Sequence, residues 1–164
     1  MIVTFKVFKM IKHFFPIVLL LMLILGCKKQ PDCCVVFDTD IRIAVQSTSK
    51  ADLLDPQLDT FNYDNIDVFD KTGSGYLRVF NTNMAAPKRF HIFLNPTTGK
   101  YEMNLGLNLN TIGGVSETLV KFGNHVPDTI RAVIVKNGGI TAVSKVTIGS
   151  ATFEPKNLHT LVKD

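Results

Sequence analysis

The sequence predicts an all-β domain that follows a targeting segment. Two observations predict the fold: apolar residues recur at every second position in many short stretches after residue 35, and clusters of turn-forming residues separate these stretches. About eight strands with such regular punctuation favour a sandwich of two antiparallel sheets, and a closed barrel is the alternative. The length of 164 residues leaves room for one domain and the targeting segment.

Residues 1–26 have the pattern of an export signal. Three lysines and no acidic residue precede an apolar run, FFPIVLLLMLILG, at residues 14–26. A transmembrane helix is the alternative, but thirteen residues would reach only about 20 Å as a helix, against roughly 30 Å for the hydrocarbon core of a bilayer. We therefore expect residues 1–26 to be removed as a signal peptide.

Most of the net positive charge of the chain comes from this segment. The whole sequence has 18 basic and 14 acidic residues, and removing residues 1–26 leaves 15 basic residues against 14 acidic ones. No run of lysine or arginine interleaved with aromatic residues remains. Binding to nucleic acid therefore has no electrostatic support.

The apolar run is followed directly by Cys27. The stretch Ile-Leu-Gly-Cys at residues 24–27 resembles the lipobox of bacterial lipoproteins, which has an aliphatic residue three positions before the cysteine and a small residue just before it. The resemblance implies a diacylglycerol thioether on Cys27, cleavage before it, and acylation of the new amino terminus, so that several acyl chains hold the protein at the membrane. Lys28 stands where an aspartate would imply retention in the inner membrane. The outer membrane is therefore the expected location, with periplasmic and outward-facing orientations both open.

Residues 27–34 are expected to form a lipidated tether, and residues 35–164 the folded domain. Seven residues after Cys27 span at most about 25 Å, so the domain would stay close to the membrane. Neighbouring Cα atoms lie about 3.8 Å apart, so a disulfide between Cys33 and Cys34 would need a strained peptide. A metal site has no further cysteine and no nearby histidine to use. An interchain disulfide and a pair of free thiols both stay open.

The period of two is clearest in YEMNLGLNLN at residues 101–110. The apolar residues from Tyr101 to Leu109 are expected to face the core, and the residues between them, including Glu102, to lie on the opposite, polar face. IRAVIVK at residues 130–136 is apolar on both faces and is expected to be a central strand. The predicted strands are 40–47, 66–69, 76–81, 89–95, 101–110, 117–123, 129–137 and 140–149.

Only SKADLLDPQL, at residues 49–58, looks helical. Pro56 disfavours a helical conformation at Asp55, so one or two turns are expected at most. No internal repeat, low-complexity tract or second domain boundary is visible. A single domain is therefore predicted.

Four segments share their layout with a known group of proteins. They are the lipobox at Cys27, KADLLDP at residues 50–56, NIDVFD at 65–70 and ETLVKFGNHVPDTIRAVI at 117–134. With these segments the chain resembles small Bacteroidota-type outer-membrane lipoproteins that carry an immunoglobulin-like β-sandwich. The resemblance implies one immunoglobulin-like sandwich of about 7–8 strands, although VTIGSATFEP departs from the tyrosine-asparagine-glycine hairpin near the end of many members. The family is mostly of unknown function, so it implies no chemistry.

Candidate catalytic and metal-binding residues are few. His91 is expected on the polar face of a strand, His125 in a turn and His159 in the tail. No known catalytic motif is present, so we assign no catalytic residue. The acidic stretch DTFNYDNIDVFD at residues 59–70 contains possible calcium ligands, but its spacing matches no EF-hand, and polar loop residues are the favoured interpretation. No metal and no cofactor is expected.

These observations predict a lipid-anchored, non-enzymatic protein of the cell envelope that binds or supports other envelope proteins. The alternative is a ligand-binding module for a glycan or a small solute. Glycan sites commonly stack sugars on exposed aromatic rings, whereas this chain has no tryptophan and only three tyrosines, Tyr63, Tyr76 and Tyr101. The expected partners are the membrane, through the lipid on Cys27, and envelope proteins.

Overall fold

The structure is a computed structural model that describes residues 36–164. These residues form two β-sheets, which confirms the all-β prediction. None of them belongs to a helix, so the described part contains no helix suited to crossing a membrane. The predicted signal peptide, Cys27, Cys33 and Cys34 lie outside the described residues. The strands are β1 (Val36–Asp38), β2 (Asp40–Gln46), β3 (Ile66–Thr72), β4 (Gly75–Arg78), β5 (Phe90–Asn95), β6 (Lys100–Gly106), β7 (Val115–Phe122), β8 (Asp128–Asn137), β9 (Ile140–Ile148), β10 (Ala151–Phe153) and β11 (Leu158–Val162).

The strands divide into a sheet of seven and a sheet of four. The larger sheet has the order β1-β9-β8-β7-β3-β4, with β10 paired to β9, and the smaller has the order β11-β2-β6-β5. Strand β8 lies between β9 and β7, which confirms its predicted central position. Most pairs are antiparallel, but β1 pairs parallel to β9 and β11 pairs parallel to β2. The prediction of wholly antiparallel sheets is therefore wrong at these two pairs.

Both terminal stretches of the domain contribute strands to both sheets. Strand β1 belongs to the larger sheet and β2 to the smaller, with only Thr39 between them. Likewise, β10 pairs with β9 in the larger sheet, and β11 pairs with β2 in the smaller. Strands β1, β10 and β11 were not predicted, and they raise the count from about eight to eleven. Strands β1 and β10 have three residues each, too few to show a period of two, and His159 interrupts the apolar alternation of β11.

One hydrophobic core lies between the sheets. Alternate residues of β6 confirm the predicted pattern, because Met103 and Leu105 are fully buried, while Tyr101 is half-buried against the core. The same inward alternation brings side chains of the larger sheet into this core. The buried core residues are Ile41, Ile43, Val45, Leu54, Phe61, Ile66, Val68, Phe90, Met103, Leu105, Leu107, Val120, Phe122, Ile130, Ala132, Val143, Val146 and Leu161.

The sequence 101–110 departs from its prediction in two ways. Strand β6 ends at Gly106, and Asn108 is buried, with its side-chain amide donating to the carbonyl of Lys71 at 2.9 Å. Glu102 was expected on a polar face but is 1% exposed. Its Oε1 accepts a hydrogen bond from Asn95 at 2.6 Å, and Arg42 lies 3.5 Å from its Oε2. The hydrogen bond and the ion pair offset part of the cost of burying this carboxylate, whose Oε2 accepts no hydrogen bond within residues 36–164.

The segment 49–58 forms turns and an isolated bridge rather than a helix. The carboxylate of Asp52 accepts a hydrogen bond from the amide of Leu54 at 3.1 Å, and the carboxylate of Asp55 accepts one from Gln57 at 2.9 Å. Such local bonds from aspartate compete with helical backbone bonds. The expectation of helical turns is therefore wrong, and the segment becomes a loop that carries Leu54 into the core.

Candidate functional site

An apolar cleft of about 600 Å³ lies beside strand β5. Strand β5 forms one side, the loop after β2 and the loop before β5 form the others, and Tyr101 of β6 completes the lining. This volume is within the range of pockets that bind small ligands or partner side chains. The lining residues are Leu54, Pro56, Phe61, Asn62, Tyr63, Ala85, Ala86, Pro87, Phe90, His91, Ile92 and Tyr101.

The loop after β2 is held on the core by two of its own apolar residues. Leu54 is 1% exposed and Phe61 is 4% exposed, and the ring of Phe61 lies 5.3 Å from that of Phe122. The amide of Phe61 donates to the carbonyl of Leu53 at 3.1 Å, which closes the loop on itself. The cleft wall that this loop forms is therefore fixed by packing and backbone bonds.

Lys88 joins the two loops that face each other across the cleft. Its Nζ donates to the carbonyl oxygens of Tyr63 at 2.7 Å, Asp64 at 3.0 Å and Ile66 at 2.9 Å. Lys88 is only 5% exposed, and its Nζ lies 5.0 Å from the ring centre of Tyr63. All three ammonium donors thus have acceptors, which is how this cation can be buried.

The polar atoms of the wall are largely used within the wall itself. The Oδ1 of Asn62 accepts from the amide of Asp64 at 3.0 Å, and its Nδ2 donates to Asp59 at 2.8 Å. The hydroxyl of Tyr63 accepts from the amide of Lys88 at 3.3 Å, and its ring packs 5.2 Å from that of Phe90. What the wall offers to a binding partner is therefore mainly apolar and aromatic surface.

Strand β5 borders the cleft with unpaired main-chain groups. It is the last strand of the smaller sheet, and Arg89, just before it, accepts a hydrogen bond from the amide of Gly106 at 3.0 Å. Hydrogen-bonded pairs alternate in an antiparallel ladder, so His91, Phe93 and Asn95 bond to β6. The N–H and C=O groups of Phe90, Ile92 and Leu94 consequently point away from β6. In the described part of the chain these groups have no hydrogen-bond partner, and those of Ile92 and Leu94 are accessible, whereas Phe90 is only 1% exposed.

Three aspartates on one side of the cleft carry negative charge without an ion pair. Asp55, Asp59 and Asp64 lie on the loop that forms one wall, and none of them takes part in an ion pair within residues 36–164. By contrast, the nearby cation Arg89 is neutralised, because its guanidinium binds both carboxylate oxygens of Asp70 at 2.5 and 2.8 Å. The rim of the cleft is therefore acidic on the side of this loop.

A second, polar cavity of about 620 Å³ lies on the outer face of the larger sheet. The phenol of Tyr76 donates to Glu117, whose other oxygen accepts from Nε of Arg131 at 2.7 Å, and Lys71 lies 4.5 Å from the ring centre of Tyr76. The hydrogen bond from Tyr76 lowers the pKa of Glu117, and the same bond raises the pKa of Tyr76. Both pKa values move away from neutrality, so the pair is unsuited to general acid–base catalysis near pH 7.

The structure places the three histidines of the domain apart. His91 is exposed on β5 and lines the cleft, whereas His125 packs in a turn with its ring 5.4 Å from that of Phe61. His159 lies on β11 rather than in a tail and is 1% exposed, so its predicted position is wrong. Burial lowers its pKa, and the backbone carbonyl of Pro155 opposes this effect only in part.

The acidic stretch 59–70 is divided among separate contacts. Asp67 pairs with Arg78 at 2.6 Å, and Asp70 pairs with Arg89. Among residues 36–164, no group of three histidine, cysteine, aspartate or glutamate side chains is arranged to hold a metal ion. Asp67 and Asp70 thus fix strands and loops together, whereas Asp59 and Asp64 take part in no ion pair within residues 36–164.

Sequence reasoning missed the cleft and the role of Lys88. It assigned Tyr101 to the core, and the structure places this residue half-buried against the core and on the cleft wall. The available signal was the stretch NMAAPKRF at residues 83–90, where small residues and a proline precede an apolar strand. Such a loop leaves space beside the strand that follows.

Comparisons of the chain with protein-family models, with curated proteins and with solved structures gave no match. The resemblance to small Bacteroidota-type lipoproteins therefore stays a prediction. What the cleft can bind has to be argued from its own residues.

Proposed function

We propose that this protein is a non-enzymatic binding module, held at the outer membrane by lipid on Cys27, that binds other envelope proteins through the cleft beside β5. The observation that carries the proposal is the combination of apolar walls with unpaired main-chain groups on one side of the cleft. A protein partner can fill both, because it brings apolar side chains together with main-chain donors and acceptors.

The composition of the cleft supports binding rather than catalysis. His91 and two tyrosines are its titratable lining residues, and no carboxylate or nucleophilic hydroxyl stands beside them in the lining. The polar cavity on the outer face of the larger sheet contains the Tyr76–Glu117 pair, whose pKa values are displaced from neutrality. Neither of these two cavities offers a matched acid and base.

The proposal also includes the location at the outer membrane and an immunoglobulin-like class of sandwich. Support for the anchor comes from the lipobox-like residues 24–27 at the end of the apolar run. Support for an immunoglobulin-like sandwich comes from the single core shared by two sheets. The parallel pairs at β1 and β11 would then be this domain's variation on the antiparallel arrangement.

Photo-crosslinking in living cells tests the proposal. A crosslinking amino acid is placed at Ala85 on the cleft wall and, as a matched control, at the exposed Ser150 in the turn between β9 and β10. We expect Ala85 to give a reproducible set of protein crosslinks that Ser150 does not give. The substitution Ala86→Trp, which fills the cleft, should remove that set. Identical crosslinks from both positions, or none from Ala85, would contradict the proposal.

The cavity volume favours a second candidate, a small apolar solute. A space of about 600 Å³ with mainly apolar lining would hold such a molecule better than a glycan, which needs many polar partners. Native mass spectrometry of the chain purified without added ligand distinguishes the candidates. A bound small molecule that disappears in Ala86→Trp would favour the solute.

A further inference from the structure

We infer that β5 accepts an extended peptide segment of its partner as an additional strand, with alternate apolar side chains in the cleft and a basic residue against the acidic rim. This inference rests on the proposed function and specifies how the protein partner is held. It places the peptide next to β5, on the side opposite β6.

Alternate residues of β5 leave their main-chain groups free for a new strand. Ile92 and Leu94 each direct an N–H and a C=O away from β6, so a peptide about 4.8 Å further out can form the next antiparallel or parallel ladder there, whereas Phe90 is covered. Phe90 and Ile92 also line the cleft. At Ile92, main-chain binding and side-chain insertion therefore occur together, as in other cases of strand addition.

The added strand would place every second side chain over the apolar wall. Phe90 and Ile92 pair with Leu105 and Met103, whose side chains belong to the core face of the smaller sheet. Peptide residues on that same face would contact Tyr63 and Phe61 across the cleft. Apolar residues at alternate positions of the peptide are thus the matching chemistry.

The edge of β5 lacks the features that usually prevent strand addition. Exposed edges are commonly protected by lysine, proline, bulges or short length. Strand β5 has six residues, FHIFLN, with a continuous register and neither lysine nor proline. The other edge strands of the described domain are shorter: β1 and β10 have three residues, β4 has four and β11 has five.

Charge complementarity selects among extended peptides. Asp55, Asp59 and Asp64 leave the rim acidic, since no cation within residues 36–164 pairs with them. A lysine or arginine flanking the apolar positions would meet this rim. Rim charges of this kind act mainly on association rate and on the choice of partner.

The test uses the full chain reconstituted in lipid nanodiscs, which keeps detergent out of the cleft. The probe is a fluorescent nine-residue peptide that alternates threonine with valine or phenylalanine and has lysine at both ends. We expect it to bind, and its counterpart with glutamate at both ends to bind more weakly. Absence of binding by the lysine peptide, or equal binding of both peptides, would overturn the inference.

Two N-methylated versions of the lysine peptide test the main-chain bonds directly. One version is methylated at the odd residues and the other at the even residues, so each loses the donors of one edge only. Strand addition requires that one version bind at least about tenfold more weakly while the other retains its affinity. Each lost main-chain hydrogen bond costs about 1 kcal/mol of binding free energy, and a loss of about 1.4 kcal/mol weakens binding tenfold. Equal binding by both versions would contradict strand addition.

Leu94 provides the matched protein variants. Leu94→Pro removes an N–H that points away from β6, whereas Leu94→Ala removes only the exposed side chain. Proline is tolerated at such edge positions, so the variant should fold. The experiment with the methylated peptides uses the unaltered chain and does not depend on the folding of Leu94→Pro. We expect Leu94→Ala to bind the peptide and Leu94→Pro to bind it at least about tenfold more weakly.

The same variants separate this inference from the proposed function. Protein crosslinks at Ala85 that persist in Leu94→Pro would contradict strand addition and leave the proposed function standing. Absence of crosslinks from Ala85 in the unaltered chain would contradict the proposed function itself. A dimer in nanodisc sedimentation that Leu94→Pro dissociates would show that a second copy, rather than a partner peptide, occupies the edge.

Discussion

Lys88 and His159 are buried ionisable residues with different surroundings. Polar acceptors surround Lys88, whereas an aromatic ring packs against His159. The ammonium of Lys88 has a carbonyl acceptor for each of its three donors. The imidazole of His159 packs edge-on against Phe153 at 4.9 Å, and burial lowers its pKa. Neither position could be predicted from the sequence, because lysine in a loop and histidine near a terminus are usually exposed.

Replacing Lys88 tests whether it fixes the cleft. Lys88→Met keeps the apolar stem but leaves the carbonyls of Tyr63, Asp64 and Ile66 without their donors. We expect a loss of about 3 kcal/mol in the free energy of unfolding, since unsatisfied buried groups are costly. Urea unfolding measures this loss. Lys100→Met, at an exposed position, is the control, and an equal effect of both substitutions would contradict the role of Lys88.

His159 makes stability depend on pH. Because its pKa is lowered from 6.5 in the folded state, the unfolded chain binds a proton that the folded chain resists. The stabilisation is present above pH 6.5 and is lost as the pH falls below it, by at most about 1.4 kcal/mol per pH unit.

The variant His159→Phe should remove this dependence. Its urea midpoint is expected to change much less between pH 7.5 and 5.5 than that of the unaltered chain, over about two pH units. His91→Gln, which changes an exposed ring, should keep the original pH dependence. If His159→Phe and the unaltered chain showed the same slope, burial of this imidazole would not be its cause.

At the scale of the elements, the start of β5 and the end of β6 depend on each other. Arg89 has a φ of 60° and donates from Nε to the carbonyl of Gly106 at 2.7 Å, while its guanidinium binds Asp70. The side chain of Arg89 lies across Gly106, where a Cβ would come within 2.9 Å of its Cγ. This contact explains why β6 carries a glycine at that point.

Gly106→Ala is therefore expected to destabilise the domain by about 1–3 kcal/mol, because Arg89 must move. Arg89→Gly removes the clash and suits the positive φ, so the double variant should lose less than the two single variants together. A double-mutant cycle from urea unfolding measures this coupling. The control Gly73→Ala has open space around it and should be nearly neutral, and simple additivity of the two main substitutions would argue against the contact.

For the whole molecule, the features of the fold that the sequence predicts are those that depend on the residue pattern within one strand. Burial of one sheet face leaves a period of two, so β6 and the central β8 could be located from their residues alone. The cleft could not be located, because its walls come from loops whose positions depend on contacts such as Lys88 with Tyr63. The unpaired edge of β5 depends on sheet order, which the alternation pattern does not contain.

The expected location is also a property of the whole chain. Cys27→Ala should prevent lipidation, because only a thiol can form the thioether, and should move the protein from the membrane fraction to the soluble fraction. Fractionation with metabolic palmitate labelling measures both effects. The double variant Cys33→Ala, Cys34→Ala is the control and should stay labelled and membrane-bound. Unchanged labelling of Cys27→Ala would rule out this anchor.

The strand exchange at Thr39 has a mechanical consequence. Strand β1 is paired along β9 in the larger sheet and β2 is paired along β6 in the smaller, with one residue between them. Tension that reaches Val36 from the preceding chain first loads the parallel bonds between β1 and β9 along the strand direction. If those bonds yield, the next residues to carry the load are in the other sheet. A pull on the chain that precedes Val36 would thus be resisted twice, in sequence, before the core is exposed.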